Sequence, residues 1–387
     1  MARILEFEIE GLAGRTEPYA AVLNDDVNVF FGLIGCGKTT LLKILQSALS
    51  TNIEILKGLP FKRARVLIHL NRYGATFWRS FENVPEQPQT DVSPATRESE
   101  VYWERILTKQ REKASKPRWI SEPLEDDSSG RLTTYEHGFL PISRLYRNVT
   151  TSTGKRLLSD SELDSAFERS LSSQWSKYYA DISNKINKAQ ELGFANILNL
   201  FLSGGYDDNT GTDVPDADEA YNRIHAFLER QPQFSHLLHD KEQFVEQYAS
   251  RPELRNVVRQ IEKVEKDILS SIEPRERFRI VLESLFSGNK QIKFTEKEIR
   301  ITLPEKQEIG LVSLSSGEKQ LVVIALNALI GSNHALLIDE PELSMHVDWQ
   351  KKLVGVLLAL NPFIQLIMAT HSPEIMADLP DDKIFRL

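Results

Sequence analysis

The chain has 387 residues, 41% hydrophobic and 26% charged, enough for one large domain with an insertion or for two domains, and this composition argues against global disorder. A net charge of −8 argues against a protein that coats nucleic acid by bulk electrostatics and leaves only a local basic stripe for such contact. The single cysteine, Cys36, excludes an intrachain disulfide. No run of about eighteen apolar residues offers a membrane span, and Met1 to Glu10 lacks the basic start and apolar block of a signal peptide, so the expected setting is cytoplasmic with no membrane partner.

Residues 3–10 alternate apolar and polar side chains, and Val27 to Phe31 is a short apolar run; both predict strands. A glycine-rich turn at Gly32 to Gly37 leads into a helix predicted over Thr39 to Leu49. Val66 to Leu70 and Gly74 to Phe81 predict a strand pair. Between 83 and 130, Pro85, Pro88 and Pro94 break regular structure, and a basic run (Lys109 to Arg118) precedes an acidic one (Glu122 to Asp127), the pattern of an exposed insertion or loop.

Residues 157–201 predict a helix, because Leu163, Phe167, Leu171, Trp175, Tyr178, Ile182, Ile186 and Ala189 recur every three or four positions. Ser159 with Glu162 forms a capping box at its start. After a polar, turn-rich segment at 203–218 comes a second helical stretch. It carries the capping sequence Ser250-Arg251-Pro252-Glu253 and an apolar stripe of Val257, Ile261, Val264, Ile268 and Ile272. Residues 291–303 alternate and predict one strand. From Gly310 onward the pattern is α/β, with a helix at 317–330, a buried strand at 335–339, a helix at 347–359, a strand at 364–369 and a last short strand at 383–387.

Four motifs carry chemistry. Gly32-Leu33-Ile34-Gly35-Cys36-Gly37-Lys38-Thr39-Thr40 fits the phosphate-loop pattern between a strand and a helix. Its glycines turn successive N–H groups toward an anion, Lys38 neutralises phosphate oxygens and the Thr39 hydroxyl ligates Mg²⁺, so Gly32, Gly35, Cys36, Gly37, Lys38, Thr39 and Thr40 are the expected ATP-binding set. Ala335 to Pro341 is an apolar strand ending in Asp339 and Glu340, two carboxylates at the carboxyl edge of a sheet. Asp339 is the second expected Mg²⁺ ligand, and Glu340 the base that orients and deprotonates the attacking water. Leu314-Ser315-Ser316-Gly317-Glu318-Lys319-Gln320 opens a helix, where Ser316 and Gly317 present N–H groups and a hydroxyl to an anion; an ordinary helix cap is the competing reading. Thr370-His371-Ser372-Pro373 follows a strand; alone, such a histidine reads as a solvated loop residue, and His371 is the second catalytic candidate by resemblance to ABC-type ATPases, where a histidine at this place contacts the γ-phosphate. Cys36 reads either as a small residue without a role or as a thiolate activated by the helix N-terminus.

In this order the motifs resemble those of the ABC/SMC superfamily. Within it they resemble the branch of the overcoming-lysogenisation-defect nucleases and related AAA-labelled defence ATPases. The details are LSSGE in the signature, Asp339-Glu340-Pro341-Glu342 running on to Met345-His346, and Phe139 to Leu145 as a strand-plus-arginine element. The likeness covers 1–82, 139–147 and 310–387. Departures are Ile34 where many relatives have asparagine, Val347 for a common proline, and a Q-loop glutamine with only Gln87 and Gln89 as candidates.

The resemblance implies an α/β, ABC-type nucleotide-binding domain with a mixed P-loop sheet, made of 1–150 and 291–387, with a helical insertion at 151–290. It implies a slow ATPase that closes head-to-tail as a homodimer or higher homo-oligomer, with the γ-phosphate contacted by Ser316 and Gly317 of the opposite subunit and by His371. The large gap between phosphate loop and signature disfavours a transporter subunit, and the helical stretches are too short for a long repair arm. The chain ends about sixteen residues past His371, so the expected effector is a separate nuclease or toxin, as in stand-alone PARIS- or Septu-type defence ATPases. The competing expectation is a short-armed SMC-like DNA-repair ATPase, with Lys62 to Arg65, Lys109 to Arg118 and Arg275 to Arg279 as candidate DNA contacts.

Overall fold

A computed structural model describes residues 2–71, 74–83, 118–123, 135, 137–140, 160–203, 216–229, 240–286, 290–303, 308–331 and 335–387. The chain divides into two compact units. One comprises Met1–Ser170, Val281–Ile292 and Ile301–Leu387; the other comprises Leu171–Ile280 and Lys293–Arg300.

The first unit begins with β1 (Ala2–Glu10), β2 (Tyr19–Val22) and β3 (Val27–Phe31). α1 (Lys38–Ser50) starts directly after the phosphate loop. β4 (Arg63–Leu70) and β5 (Ala75–Glu82) form the expected strand pair, and β6 (Ile120–Pro123) and β7 (Gly138–Leu140) follow. β1, β2, β4, β5 and β6 build an antiparallel sheet in the order β2-β1-β4-β5-β6. The predicted period-two alternation holds on either side of a register shift between Ile4 and Glu6: Ala2 and Ile4 are buried before it, Phe7 and Ile9 after it, and Glu6, Glu8 and Glu10 are not.

The end of the proline-rich stretch departs from expectation. Ile120–Pro123 pairs with β5, and Trp119 is 1% exposed, its indole N–H donating to Ser47 Oγ at 2.9 Å. Those residues are therefore sheet and core rather than exposed loop; one large aromatic outweighs the flanking polar composition. Gln87, Gln89, Lys109 to Pro117, Ser159 and the part of the strand-plus-arginine element beyond Leu140 lie outside the described residues.

The second sheet is entirely parallel. It uses β3 and β7 together with β11 (Ala335–Asp339), β12 (Gln365–Thr370) and β13 (Ile384–Arg386), in the order β13-β3-β12-β11-β7. Its inner strands read as continuous apolar runs because both faces are covered. α1 buries Leu41, Leu42, Leu45, Ala48 and Leu49, and each such leucine stabilises by about 2 kcal/mol. Its last turn is held by Arg79 of β5, a buried arginine that donates to the carbonyls of Ala48 and Leu49 and stacks 4.8 Å from the Tyr135 ring centre. Burial lowers the pKa of this guanidinium from its usual value.

Two further helices, α6 (Ser316–Ile330) and α7 (Val347–Leu360), and the single turn α8 (Pro373–Met376) complete this unit's C-terminal part. Residues 291–303 are not one strand. They form β8 (Gln291–Phe294) and β9 (Ile299–Thr302), part of a three-stranded sheet with β10 (Glu308–Ile309). The interruption is local: Thr295 Oγ1 donates to Glu298 O at 2.9 Å and accepts from Glu298 N–H at 3.1 Å, a turn that period-two alternation hides.

The second unit is helical. Most of α2 (Asp160–Ser203) and α5 (Pro252–Leu285) belongs to it, and α3 (Ala217–Glu229) and α4 (Lys241–Ser250) lie within it. The predicted stripes are its core: Leu171, Trp175 and Ile182 are buried on α2, and Val257, Ile261, Val264 and Ile268 on α5. Trp175 stacks on Phe278 at 5.9 Å and donates its indole N–H to Thr295 O at 2.7 Å. The capping sequence at Ser250 works differently from expectation. Pro252 is the first residue of α5, but Ser250 closes α4, its hydroxyl donating back to Gln247 O at 3.1 Å. A proline at the first helical position forbids continuation from α4, so the break falls at Arg251.

Among the described residues, no helix is long and apolar enough to cross a membrane.

Candidate functional site

Register assembles the site. In the parallel sheet Phe31 aligns with Thr370, and Asp339 with Ala369. Gly32, His371 and Glu340, each the first residue beyond its strand, therefore leave the same carboxyl edge, where ligands of open α/β sheets bind. β12 lies between β3 and β11, which sets His371 between the phosphate loop and Glu340.

The phosphate loop bends through Gly35 and through Gly37, whose φ of 105° is barred to residues with a Cβ. Leu33, Ile34 and Gly35 are exposed, and Cys36 is half-buried. Lys38 is 4% exposed. Its ammonium donates to Gly32 O at 2.9 Å and Leu33 O at 3.1 Å and lies 3.7 Å from Cys36 Sγ. Thr39 and Thr40 stand half-buried in the first turn of α1, where backbone N–H groups lack intrahelical acceptors. The Thr39 hydroxyl donates to Asp339 Oδ1 at 3.2 Å, so the two expected Mg²⁺ ligands meet across 300 residues of sequence.

His371 Nδ1 is 3.4 Å from Lys38 Nζ, and its Nε2 is 3.5 Å from Glu340 Oε1. Because the ammonium can only donate, the neutral ring is assigned with its proton on Nε2, facing Glu340. Glu340 has φ 47° and donates its N–H to Ala369 O at 2.8 Å. A left-handed glutamate costs about 1–3 kcal/mol and persists where surrounding contacts over-determine it.

Ser315 caps α6 with a full capping box: its hydroxyl accepts from Glu318 N–H and the Glu318 carboxylate accepts from Ser315 N–H, worth about 1 kcal/mol. The cap function thus belongs to Ser315. Ser316, which is exposed, and Gly317, which is buried, occupy the first turn. A Cβ on Gly317 would run into the Ser344 carbonyl. Glycine here is therefore required by packing within the chain, whatever else the residue contacts. Gly317→Ala is expected to cost about 1–3 kcal/mol of stability through overpacking, measured by chemical denaturation; unchanged stability would overturn this packing role.

Several contributors were not singled out from the sequence. Lys290 binds Glu318 at 2.7 Å, and Asp164, near the start of α2, binds Lys319 at 2.6 Å. Burial opposes ionisation of Glu318, but hydrogen bonds from Lys290 and Ser315 outweigh it and hold its pKa below the usual value. Gln320 Nε2 donates to Pro341 O at 2.8 Å, Gln350 Nε2 donates to Met345 O at 2.8 Å, and Glu342 accepts from His371 N–H at 2.6 Å. Only their nearness to the motifs hinted at these residues; the contacts themselves are long-range.

Among curated proteins, the chain is similar to a "Retron Vc95 probable ATPase" of Vibrio cholerae serotype O1 biovar El Tor, with 31% identity over 90 residues, 20% of this chain and 18% of that protein. The chain thus spans under a fifth of that relative's length. Among solved structures it is similar to an Smc head domain from Pyrococcus furiosus (13% identity, 97% of this chain and 92% of that one, TM-score 0.44) and to the SMC head domain from Thermotoga maritima (13% identity, 97% and 91%, TM-score 0.40). The family model described as "AAA domain, putative AbiEii toxin, Type IV TA system" matches residues 27–377, which span both the phosphate loop and the Asp339, Glu340 and His371 edge. The chain belongs to that family of AAA-type ATPase domains.

Proposed function

We propose that this chain binds ATP with Mg²⁺, hydrolyses it slowly, and uses the cycle to close a head-to-tail homodimer, or a higher homo-oligomer, that controls a separate effector in anti-phage defence. The observation that carries the hydrolytic reading is the row Lys38–His371–Glu340 beside the Thr39–Asp339 pair.

The phosphate-loop N–H groups and the Lys38 ammonium hold the β- and γ-phosphates. The Thr39 hydroxyl and Asp339 carboxylate are hard oxygen donors 3.2 Å apart and suit Mg²⁺, which when bound neutralises charge on the phosphate oxygens. Glu340 accepts a proton from the attacking water. The water oxygen bonds to the γ-phosphorus as the bond from that phosphorus to the β–γ bridging oxygen breaks, leaving ADP and phosphate. With its proton on Nε2, His371 donates to Glu340 and holds it in place, and that same N–H is the ring donor available to a γ-phosphate oxygen. Ser316 and Gly317 offer first-turn N–H groups to the γ-phosphate of the opposite subunit.

Control of an effector is supported by two findings. Over 90 residues the chain is similar to a probable ATPase named for a retron. The signature turn is ion-paired through Glu318 and Lys319 to Lys290 and Asp164, residues that flank the helical excursion in sequence, so a shift of that turn on ATP binding is passed to the helices. By resemblance, the effector is a nuclease or toxin, as in PARIS- or Septu-type systems.

The test is to purify the tagged chain with the product of its neighbouring gene, with and without ATP, while measuring phosphate release. ATP-dependent, stoichiometric co-purification of a nuclease or toxin supports the reading. A chain that returns alone, with DNA-stimulated phosphate release, moves the assignment to a short-armed DNA-repair ATPase.

A further inference from the structure

We infer that Glu342 is a positioning residue for hydrolysis: it sets the place of the His371 ring by fastening the His371 backbone. The inference rests on the ATPase reading above and assigns a part to a residue outside the phosphate-loop, Mg²⁺ and base set.

The Glu342 carboxylate spans the gap between two loops that leave neighbouring strands. Its Oε1 accepts from His371 N–H at 2.6 Å, across 29 residues of sequence. This is a charge-assisted bond and, among the described residues, the shortest polar contact of the histidine. By contrast, both ring contacts of His371 are long, 3.4 Å to Lys38 and 3.5 Å to Glu340, at the outer limit of a hydrogen bond. A displacement of about 1 Å would break them. The ring has no tight contact of its own to Lys38 or Glu340 that locates it, so the backbone anchor does.

That anchor is itself held from two sides. Pro341 O accepts from Gln320 of α6, and Glu342 O accepts from Met345 N–H at 2.9 Å. Gln350 of α7 joins both loops: its Nε2 donates to Met345 O at 2.8 Å, and its Oε1 accepts from the Ser372 hydroxyl at 2.7 Å. Ser372 N–H in turn donates to Thr370 Oγ1 at 2.9 Å. The carboxylate therefore acts from a fixed base onto the first residue beyond β12, between Thr370, which pairs with Phe31, and Ser372, which is tied to Thr370 and Gln350.

Glu342 Oε2 is buried and has no hydrogen-bond partner among the described residues. Burying an unsatisfied carboxylate oxygen is unfavourable, so mere packing would favour an apolar side chain at this position. Retaining an acceptor here fits a demand for the His371 bond.

The experiment compares Glu342→Ala and Glu342→Gln in the full chain, reading kcat, KM, affinity for a non-hydrolysable ATP analogue, and thermal midpoint. Alanine removes the acceptor and is expected to lower kcat by about 10–100-fold, with analogue affinity within about twofold of wild type. Glutamine keeps an acceptor oxygen and is expected to restore kcat to within about threefold. Unchanged kcat in the alanine variant overturns the inference. So does a glutamine variant as slow as alanine, which would assign the effect to charge, or loss of analogue binding in both variants, which would assign it to folding of the site. Wild-type protein that binds the analogue yet releases no phosphate instead overturns the ATPase reading on which the inference stands.

Discussion

Glu340→Gln is expected to leave ATP binding intact, lower phosphate release by about 10²–10⁴-fold, the usual contribution of a general base, and accumulate an ATP-bound dimer. The side-chain amide is isosteric with the carboxylate and offers an oxygen to His371 Nε2, while the backbone N–H of residue 340 still donates to Ala369 O. What it loses is basicity toward the attacking water. If hydrolysis opens the dimer, blocking it leaves the closed state populated. Light scattering with and without Mg²⁺–ATP, beside a phosphate-release assay, reads both effects. A variant that stays monomeric with ATP and forms no larger assembly sinks the head-to-tail model. Undiminished hydrolysis removes Glu340 from its role as base and leaves the dimer question open.

Lys38→Ala is expected to abolish measurable nucleotide binding. The ammonium now bonds to two loop carbonyls, those of Gly32 and Leu33, and on binding exchanges them for phosphate oxygens. Each hydrogen bond to a charged group contributes about 1.5–3 kcal/mol, so losing two weakens ATP binding by roughly 10²–10⁴-fold. Alanine also leaves those carbonyls without the ammonium that ties the loop, so the thermal midpoint must be measured alongside. Titration calorimetry decides the matter: near wild-type affinity in a folded variant would falsify the assignment of this loop as the phosphate site.

The separation between what was legible and what was not follows the range of each interaction. The phosphate loop and α1 were legible because their signals lie within a few residues: glycines where φ is positive, then a helix whose apolar face repeats every three or four positions. The same holds for β11, β12, α6 and α7, and for the apolar stripes of α2 and α5. Misreadings were local as well. The alternation of residues 291–303 continues through the Thr295 turn, so one strand and a strand–turn–strand look alike. Serine can cap the next helix or close the previous one, and Ser250 does the second. Trp119 is buried because β6 adds to the edge of the β5 sheet, which its proline-rich and charged surroundings do not announce.

By itself, then, the amino-acid sequence determined the local elements and the residues proposed for chemistry at a phosphate: Lys38, Thr39, Asp339, Glu340 and His371, each at the end of a strand or the start of a helix. Only the tertiary structure decided how they meet. The insertion of β12 between β3 and β11 puts His371 within reach of both Lys38 and Glu340, and pairing across 300 residues brings Thr39 to Asp339. It also decided that Gly317 must be glycine, because the Ser344 carbonyl occupies the space of a Cβ, and that Glu342 reaches the backbone of His371. The reason is physical: helix periodicity, caps and turns depend on neighbours within a few residues, whereas strand order, register and close approach depend on which distant segments bury their apolar faces together.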